Sequence, residues 1–336
     1  MIIVDAIYIN NGGGKVLLDY LISETEKKYN KIIFLLDKRI INNHNEINNN
    51  KKIYINSKGI GRFLFYFRNK NNLQKVFCFG NVPPPLKCSG IVHTYFHQLL
   101  FLEHINSISF FQKLTLKLKF SYIFLLRHNT NTWIVQTEYV KNKLQNKLKL
   151  DNQEDIFVIP FFKIDKSNNT EKEPNSFLYV SSGAPHKNHT FLINAFVKYF
   201  DKHHVGKLFL TVGNENLNLK NYILYLENNG YPIFNCGNLK LHEVKKLYGK
   251  CKYFIFPSLS ESFGLPILEA YYNDCKIIGI NKTYFKEIIK TNYMFDENDS
   301  LQLEYILESL LKNYVEIEQL CLVQNKIENL LNYIYE

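Results

Sequence analysis

Over the first 160 residues, short runs rich in β-branched and aromatic residues alternate with longer stretches whose apolar positions recur every three to four residues. The runs Ile2–Ile9, Lys31–Leu36, Lys51–Ile55, Val76–Phe79, Gly90–His97 and Thr132–Gln136 predict strands. Lys15–Lys28, Gly61–Arg68 and Glu138–Leu148 predict helices between them. The alternation starts afresh after Pro160. Strands are predicted over Ser176–Ser181, Lys207–Val212, Ile233–Cys236, Tyr253–Phe256 and Lys276–Ile280, and helices over Thr190–Phe200, Leu219–Asn228, Leu241–Tyr248 and Leu265–Asn273. Two such series, joined by the polar stretch Lys163–Thr170, predict an α/β chain of two Rossmann-like, doubly wound domains facing a central cleft. The expected spans are 1–160 for the first domain and 161–312 for the second. A helix within 313–336, with Tyr314, Ile317, Leu320, Ile327 and Leu330 at helical spacing, is expected to pack back on one of them. The Asn-rich stretch Ile41–Asn50 is expected to be a surface loop.

Composition narrows the class. With 46% apolar and 21% charged residues in 336, the chain is neither disordered, collagenous nor a coiled coil. Its net charge of +10 is unevenly placed: residues 1–160 carry 22 Lys and Arg against 11 Asp and Glu, and residues 161–336 carry 19 against 20. An N-terminal excess of this kind suits anionic lipid or nucleic acid. Six cysteines without a C-x-x-C pair, and a first strand directly after Met1 with no basic leader, predict a cytoplasmic protein with reduced thiols. Apolar runs such as Tyr122–Leu126 fall far short of the ~18–20 residues that span a bilayer.

The sharpest candidate chemistry follows the strand Tyr253–Phe256: Glu261-Ser262-Phe263-Gly264-Leu265-Pro266-Ile267-Leu268-Glu269. Gly264 permits a tight turn, and Pro266 suits a first helical turn, where its missing N–H is no loss. A turn leading into a helix N-terminus offers free N–H groups and a positive dipole to a phosphate or to sugar hydroxyls.

Glu261 and Glu269, separated by seven residues, resemble the E-x7-E signature of family 4 retaining glycosyltransferases, which have the GT-B fold. The resemblance extends to Tyr179–Lys187 with Asn188, to Gly237-Asn238-Leu239, to Val135–Lys141 with Val158-Ile159-Pro160, and to Gly12-Gly13-Gly14. It implies that Glu261 contacts the donor sugar near its reacting carbon and that Glu269 accepts hydrogen bonds from the ribose hydroxyls. By the same resemblance Lys187 neutralises the departing diphosphate, with N–H groups of Phe263, Gly264 and Leu265 assisting beside Ser262. Gly237, Asn238 and Leu239 would hold the nucleobase. One departure stands out: Ser182 occupies a position where the family usually has Arg. The leaving-group charge then falls to Lys187, helix dipoles and basic residues of the first domain.

Other patterns fail on inspection. Gly12-Gly13-Gly14-Lys15 is not a Walker A loop, because Ile9 and Val16 stand where Gly and Ser or Thr are required, and Leu17 breaks G-x-G-x-x-G. Gly13 and Gly14 are instead expected to form a small-residue turn that approaches the donor or simply bends the chain. Thr94 between His93 and His97 excludes a zincin pair. His97, at a strand's carboxyl end, is expected either to meet the donor sugar or acceptor or to be a structural histidine. None of the ten aspartates lies two residues from another, so no Asp-x-Asp is available to hold a divalent ion against a nucleotide. No metal and no cofactor is expected.

Finally, Phe110, Phe111, Leu114, Leu118, Phe120, Tyr122, Phe124 and Leu125 interleave with Lys113, Lys117, Lys119 and Arg127, and Arg62–Arg68 repeats the theme. Such segments suit the anionic inner face of the cytoplasmic membrane, or are core helices with solvated lysines. The function expected is a metal-independent hexosyltransferase using a nucleotide diphosphate sugar, UDP favoured over GDP. Its acceptor would be a saccharide hydroxyl, lipid-linked, in bacterial surface polysaccharide (O-antigen, capsule or lipopolysaccharide) synthesis, with no nucleic-acid partner. A GT-B epimerase or phosphorylase, or a non-catalytic basic scaffold binding lipid or nucleic acid, are the alternatives.

Overall fold

The computed structural model describes residues 1–41, 47–103, 110–150, 155–167, 171–312 and 317–336. These described residues form two units: those within 1–103, 110–163 and 324–336 make one, and those within 164–323 the other. The division falls at residue 163, three residues beyond the expected boundary.

In the first unit, β1 (Ile2–Ala6), β2 (Ile32–Asp37), β3 (Lys51–Ile55), β4 (Lys75–Cys78), β5 (Ile91–Tyr95), β6 (Thr132–Val135) and β7 (Ile156–Val158) form one parallel sheet. Its order is β3-β2-β1-β4-β5-β6-β7. The central strands are buried nearly end to end, as a sheet covered on both faces requires. The helices are α1 (Gly12–Lys28), α2 (Gly61–Asn69), α3 (Phe110–Leu126) and α4 (Glu138–Leu148).

The second unit repeats the plan with β8 (Glu173–Tyr179), β9 (Lys207–Leu210), β10 (Ile233–Asn235), β11 (Cys251–Phe256), β12 (Lys276–Ile280) and β14 (Met294–Phe295). They run in the order β10-β9-β8-β11-β12-β14, and β13 (Ile289–Thr291) pairs antiparallel with β15 (Gln319–Cys321). Between the strands lie α5 (His189–His203), α6 (Leu217–Asn228), α7 (Leu241–Lys250), α8 (Leu265–Tyr272), α9 (Thr283–Ile288) and α10 (Ser300–Leu311). With only its own strands numbered in chain order, each sheet begins 3-2-1-4-5-6, the doubly wound Rossmann order.

Two sequence expectations change. Helix α1 begins at Gly12 instead of Lys15, so Gly13 and Gly14 form its first turn and not a separate loop; Asn11, extended at φ −156°, caps it, and Gly12 takes φ 62°. The C-terminal helix is shorter: Leu320 belongs to β15, and α11 spans only Ile327–Tyr335. The Gln319 side chain explains the extended segment, accepting from the Ile277 N–H at 2.9 Å and donating to the Cys275 carbonyl at 2.9 Å. Helix α11 returns to the first unit, where the Lys326 N–H meets the Pro160 carbonyl at 2.8 Å and Tyr335 meets Thr25 at 3.1 Å. Tyr314, residues 42–46 of the expected Asn-rich loop and residues 168–170 of the expected linker lie outside the described residues.

Helix α3 is turned outward. Of its 17 residues only Ile123 is buried, while Phe110, Phe111, Leu118 and Leu125 are 64–78% exposed. No helix among the described residues is long and apolar enough to cross a membrane.

Candidate functional site

Two loops at the carboxyl ends of β8 and β11 build the charged centre of the second unit. After β8, a single helical turn over Pro185–Lys187 leads through Asn188, at φ 58°, into α5. Tyr179, fully buried, donates its hydroxyl to the Lys187 carbonyl at 2.9 Å and so fixes that turn. After β11, the Leu259 N–H donates to the His186 carbonyl at 2.8 Å, and the Tyr284 hydroxyl donates to the Ser258 carbonyl. The first bond ties the two loops together, and the second fastens the loop after β11 to α9. Gly264 then takes φ 69° just ahead of α8, where an added Cβ would stand 2.8 Å from Ile267 Cδ1. Phe263 is buried beneath the turn.

The outcome is an ion pair between Lys187 Nζ and Glu261 Oε1, whose side chains keep only 17% and 14% exposure. Charges this far from water interact more strongly than on an open surface, and each is available to a ligand charge at the loop. His186 and His189 flank Lys187. Burial first and the lysine's charge second depress both imidazoles to about 4, so they are neutral at physiological pH.

Glu269 stands on α8 and accepts from the Tyr248 hydroxyl at 2.8 Å, Tyr248 itself being 2% exposed. Burial raises the Glu269 carboxyl above the usual carboxylate range, the Tyr248 bond opposes this, and the Asp165 charge adds to it. A half-buried carboxylate with one oxygen already bonded can accept donors such as sugar hydroxyls on the other.

The loop after β10 contains Gly237 at φ 67°, whose N–H donates to Asn235 Oδ1 at 3.1 Å. Asn238 approaches Gly213 in the loop after β9, as does Glu215. Ser182 is exposed, its carbonyl accepting from Ser181 Oγ at 3.2 Å. Leu239 is half-buried, and Ser262 and Leu265 lie on the turn into α8.

The remaining candidates lie in the first unit. His97 follows β5, its N–H donating to Asn81 Oδ1 at 2.7 Å, and a Cβ on Gly14 would approach its Nε2 to 3.1 Å. Burial depresses the His97 imidazole to about 4, and its Nδ1 has no hydrogen-bond partner among the described residues. His93 is occupied structurally, with Nδ1 2.6 Å from Thr132 Oγ1. No cluster of three or more metal-binding side chains occurs among the described residues.

Pattern reading missed Tyr179, Tyr248, Tyr284 and Glu215. The tyrosines read as core aromatics, since their hydroxyl partners lie up to 26 residues away in the chain. Glu215 sits in a polar loop with no spacing that marks it.

A pair of Rossmann-like, doubly wound units with charged loops at the strand ends is the GT-B class of glycosyltransferase fold. The structure is similar to that of Anabaena HepE in complex with UDP-glucose, with a TM-score of 0.69 at 12% identity, covering 93% of this chain and 90% of that one. Residues 160–327, which hold the Lys187–Glu261 pair, match the family described as glycosyl transferases group 1, and the chain belongs to that family. It is 28% identical over 200 residues to the O-antigen chain mannosyltransferase RfbU of Salmonella typhimurium, covering 58% of this chain and 52% of that protein. It is 37% identical over 93 residues to the serotype-specific mannosyltransferase WbdA of Escherichia coli, covering 26% of this chain and 11% of that protein. The match therefore spans about half the length of the first relative and much less of the second.

Proposed function

We propose that this chain transfers a hexose from a nucleoside diphosphate sugar to a saccharide hydroxyl, with retention at the anomeric carbon and without a metal ion. The observation that carries this reading is the Lys187–Glu261 pair at the ends of β8 and β11. A cation there meets the charge that develops on the departing diphosphate, where a metal ion would otherwise act. Glu261, released from the lysine when the diphosphate arrives, faces the sugar near its reacting carbon, and Glu269 accepts from the ribose. The names of RfbU and WbdA favour mannose as the sugar and bacterial surface polysaccharide as the product. The exposed apolar and basic surface of α3 favours a lipid-linked acceptor, with the protein peripheral on the inner face of the cytoplasmic membrane.

The test supplies donor sugar and acceptor with and without excess chelator and follows the anomeric proton of the product by NMR. Transfer with the donor's anomeric configuration, undiminished by chelation, is expected. Release of free sugar without an acceptor would instead establish an epimerase or hydrolytic activity, and metal-reversible loss of transfer would remove Lys187 from its role.

A further inference from the structure

The loops after β8, β9 and β10 meet at a carboxylate that the transfer chemistry does not use. Glu215 Oε1 accepts from the Gly183 N–H at 2.5 Å. Its Oε2 lies 2.3 Å from where a Cβ on Gly213 would stand, and Asn238 Oδ1 and Nδ2 lie 2.4 and 2.6 Å from that same point. Only glycine at 213 lets the Glu215 carboxylate and the Asn238 amide converge.

The frame behind them is rigid. Asn235 accepts from the Val212 N–H at 2.9 Å, donates to the Val212 carbonyl at 3.0 Å and accepts from the Gly237 N–H, locking the β9 and β10 loops together. Asn216 reaches back to the Gly183 carbonyl at 2.8 Å. Both Glu215 and Asn238 nevertheless remain exposed, and no Lys or Arg pairs with Glu215 among the described residues. The backbone N–H of Gly183, and secondarily those of Glu215 and Gly213, hold its carboxyl below the usual carboxylate range, so it is ionised at neutral pH. Each carboxylate oxygen has two lone pairs, so this fixed, ionised, exposed group beside an amide keeps acceptor capacity beyond the backbone N–H groups that hold it.

We infer that Glu215 and Asn238 read the nucleobase and select guanine. The inference rests on the proposed reading that this loop cluster receives the donor's nucleotide. Guanine presents N1–H and N2–H together, two donors that match the two oxygens of one carboxylate, and its O6 accepts from the Asn238 amide. Uracil presents one N–H between two carbonyl oxygens, which a carboxylate repels. Adenine places an unprotonated ring nitrogen where guanine has N1–H. A buried or ligand-facing polar group discriminates most strongly against the analogue that leaves it unpaired. Guanosine diphosphate therefore replaces the uridine donor expected from the sequence.

The experiment measures binding of GDP, IDP and UDP by calorimetry to the full chain and to Glu215→Gln. IDP lacks only the N2 amino group, so it isolates one of the two bonds. The wild type is expected to bind GDP about tenfold more tightly than IDP and more tightly still than UDP. In Glu215→Gln the GDP preference over both should shrink to within about threefold, because one carboxylate oxygen becomes a donor that opposes guanine's donor edge. The Gln side chain keeps an oxygen for the Gly183 N–H; if that variant fails to fold, the wild-type ranking decides alone. UDP binding as tightly as GDP, or an unchanged preference in Glu215→Gln, overturns the inference. Absence of binding by all three nucleotides overturns the glycosyltransferase reading beneath it.

Discussion

In the first unit, Arg62 donates to Asp5 at 2.8 Å with both side chains at or below 5% exposure, and the neighbours complete the seal. Tyr66 donates to the same carboxylate at 2.8 Å, and Arg62 also reaches the Val82 carbonyl at 2.9 Å. In the second unit, the Lys187–Glu261 pair retains 14–17% exposure and sits on loops bound to each other mainly through backbone carbonyls. Both pairs stand near strand carboxyl ends of sheets with the same order. A sealed pair with several hydrogen-bond partners is part of the fold, whereas a pair on tethered loops can exchange its partner for a ligand's charge.

The strongest way to break that comparison is to remove one member of each pair. Asp5→Ala leaves Arg62 charged and buried, which costs about 3–5 kcal/mol of stability. A large fall in melting temperature is expected, with wild-type turnover per folded molecule. Lys187→Ala and Glu261→Gln should instead keep the melting temperature within a few degrees and lower turnover by ~10²-fold or more, with smaller change in donor affinity. If the Asp5 variant melts normally while the Lys187 variant unfolds, the roles of the two pairs are reversed.

The second contrast is in charge. The first 160 residues carry a net +11 and the remainder −1. Around α3 the excess lies among exposed Phe110, Phe111, Leu118 and Leu125, with Arg127 stacked over Phe124 at 3.9 Å. Near an anionic bilayer each basic residue contributes about 1 kcal/mol of attraction. Replacing Lys113, Lys117 and Lys119 with Glu should therefore lower the fraction sedimenting with vesicles rich in anionic lipid by roughly tenfold or more at low salt, leaving nucleotide binding untouched. Polynucleotide outcompeting the vesicles would favour the scaffold alternative, and concentration-dependent dimerisation without vesicle binding would assign α3 to a second copy of the chain.

Much of this was legible because the signals are local. Pro266 in the first turn of α8, Gly264 before it, and the spacing of Glu261 and Glu269 are read within nine residues, and the strand alternation sets each sheet. Gly12–Gly14 misled because glycines usually mark turns, whereas here they form the tight first turn of α1. Between Lys276–Ile280 and the terminal helix the sequence pattern predicts no element, although β14 and α10 lie there: a two-residue strand carries no periodicity, and β15 is held by a Gln319 side chain that no pattern reports. Long-range hydrogen bonds such as those from the Tyr248 hydroxyl to Glu269 and from the Gly183 N–H to Glu215 exist only once the chain has folded.

The smallest effect tests the Tyr248–Glu269 bond. Glu269→Ala removes a carboxylate proposed to accept two ribose hydroxyls, each charge-assisted, and should weaken nucleotide binding by roughly 10- to 150-fold. Tyr248→Phe deletes one bond to the same group and should cost about 0.5–1.5 kcal/mol, only a few-fold in affinity. Its distinctive mark is on pH dependence. The Tyr248 hydroxyl favours the ionised carboxylate against burial, which pushes the Glu269 carboxyl upward. Without that hydroxyl the carboxyl rises further. Protonation converts Glu269 from a double acceptor into a weaker one, so nucleotide affinity falls as pH drops through its titration. In Tyr248→Phe that fall should begin at higher pH than in the wild type, while Glu269→Gln should bind weakly with no such step. Calorimetric titrations across the acid range read both quantities, and a wild-type profile in Tyr248→Phe would show that the tyrosine positions α7 without tuning the carboxylate.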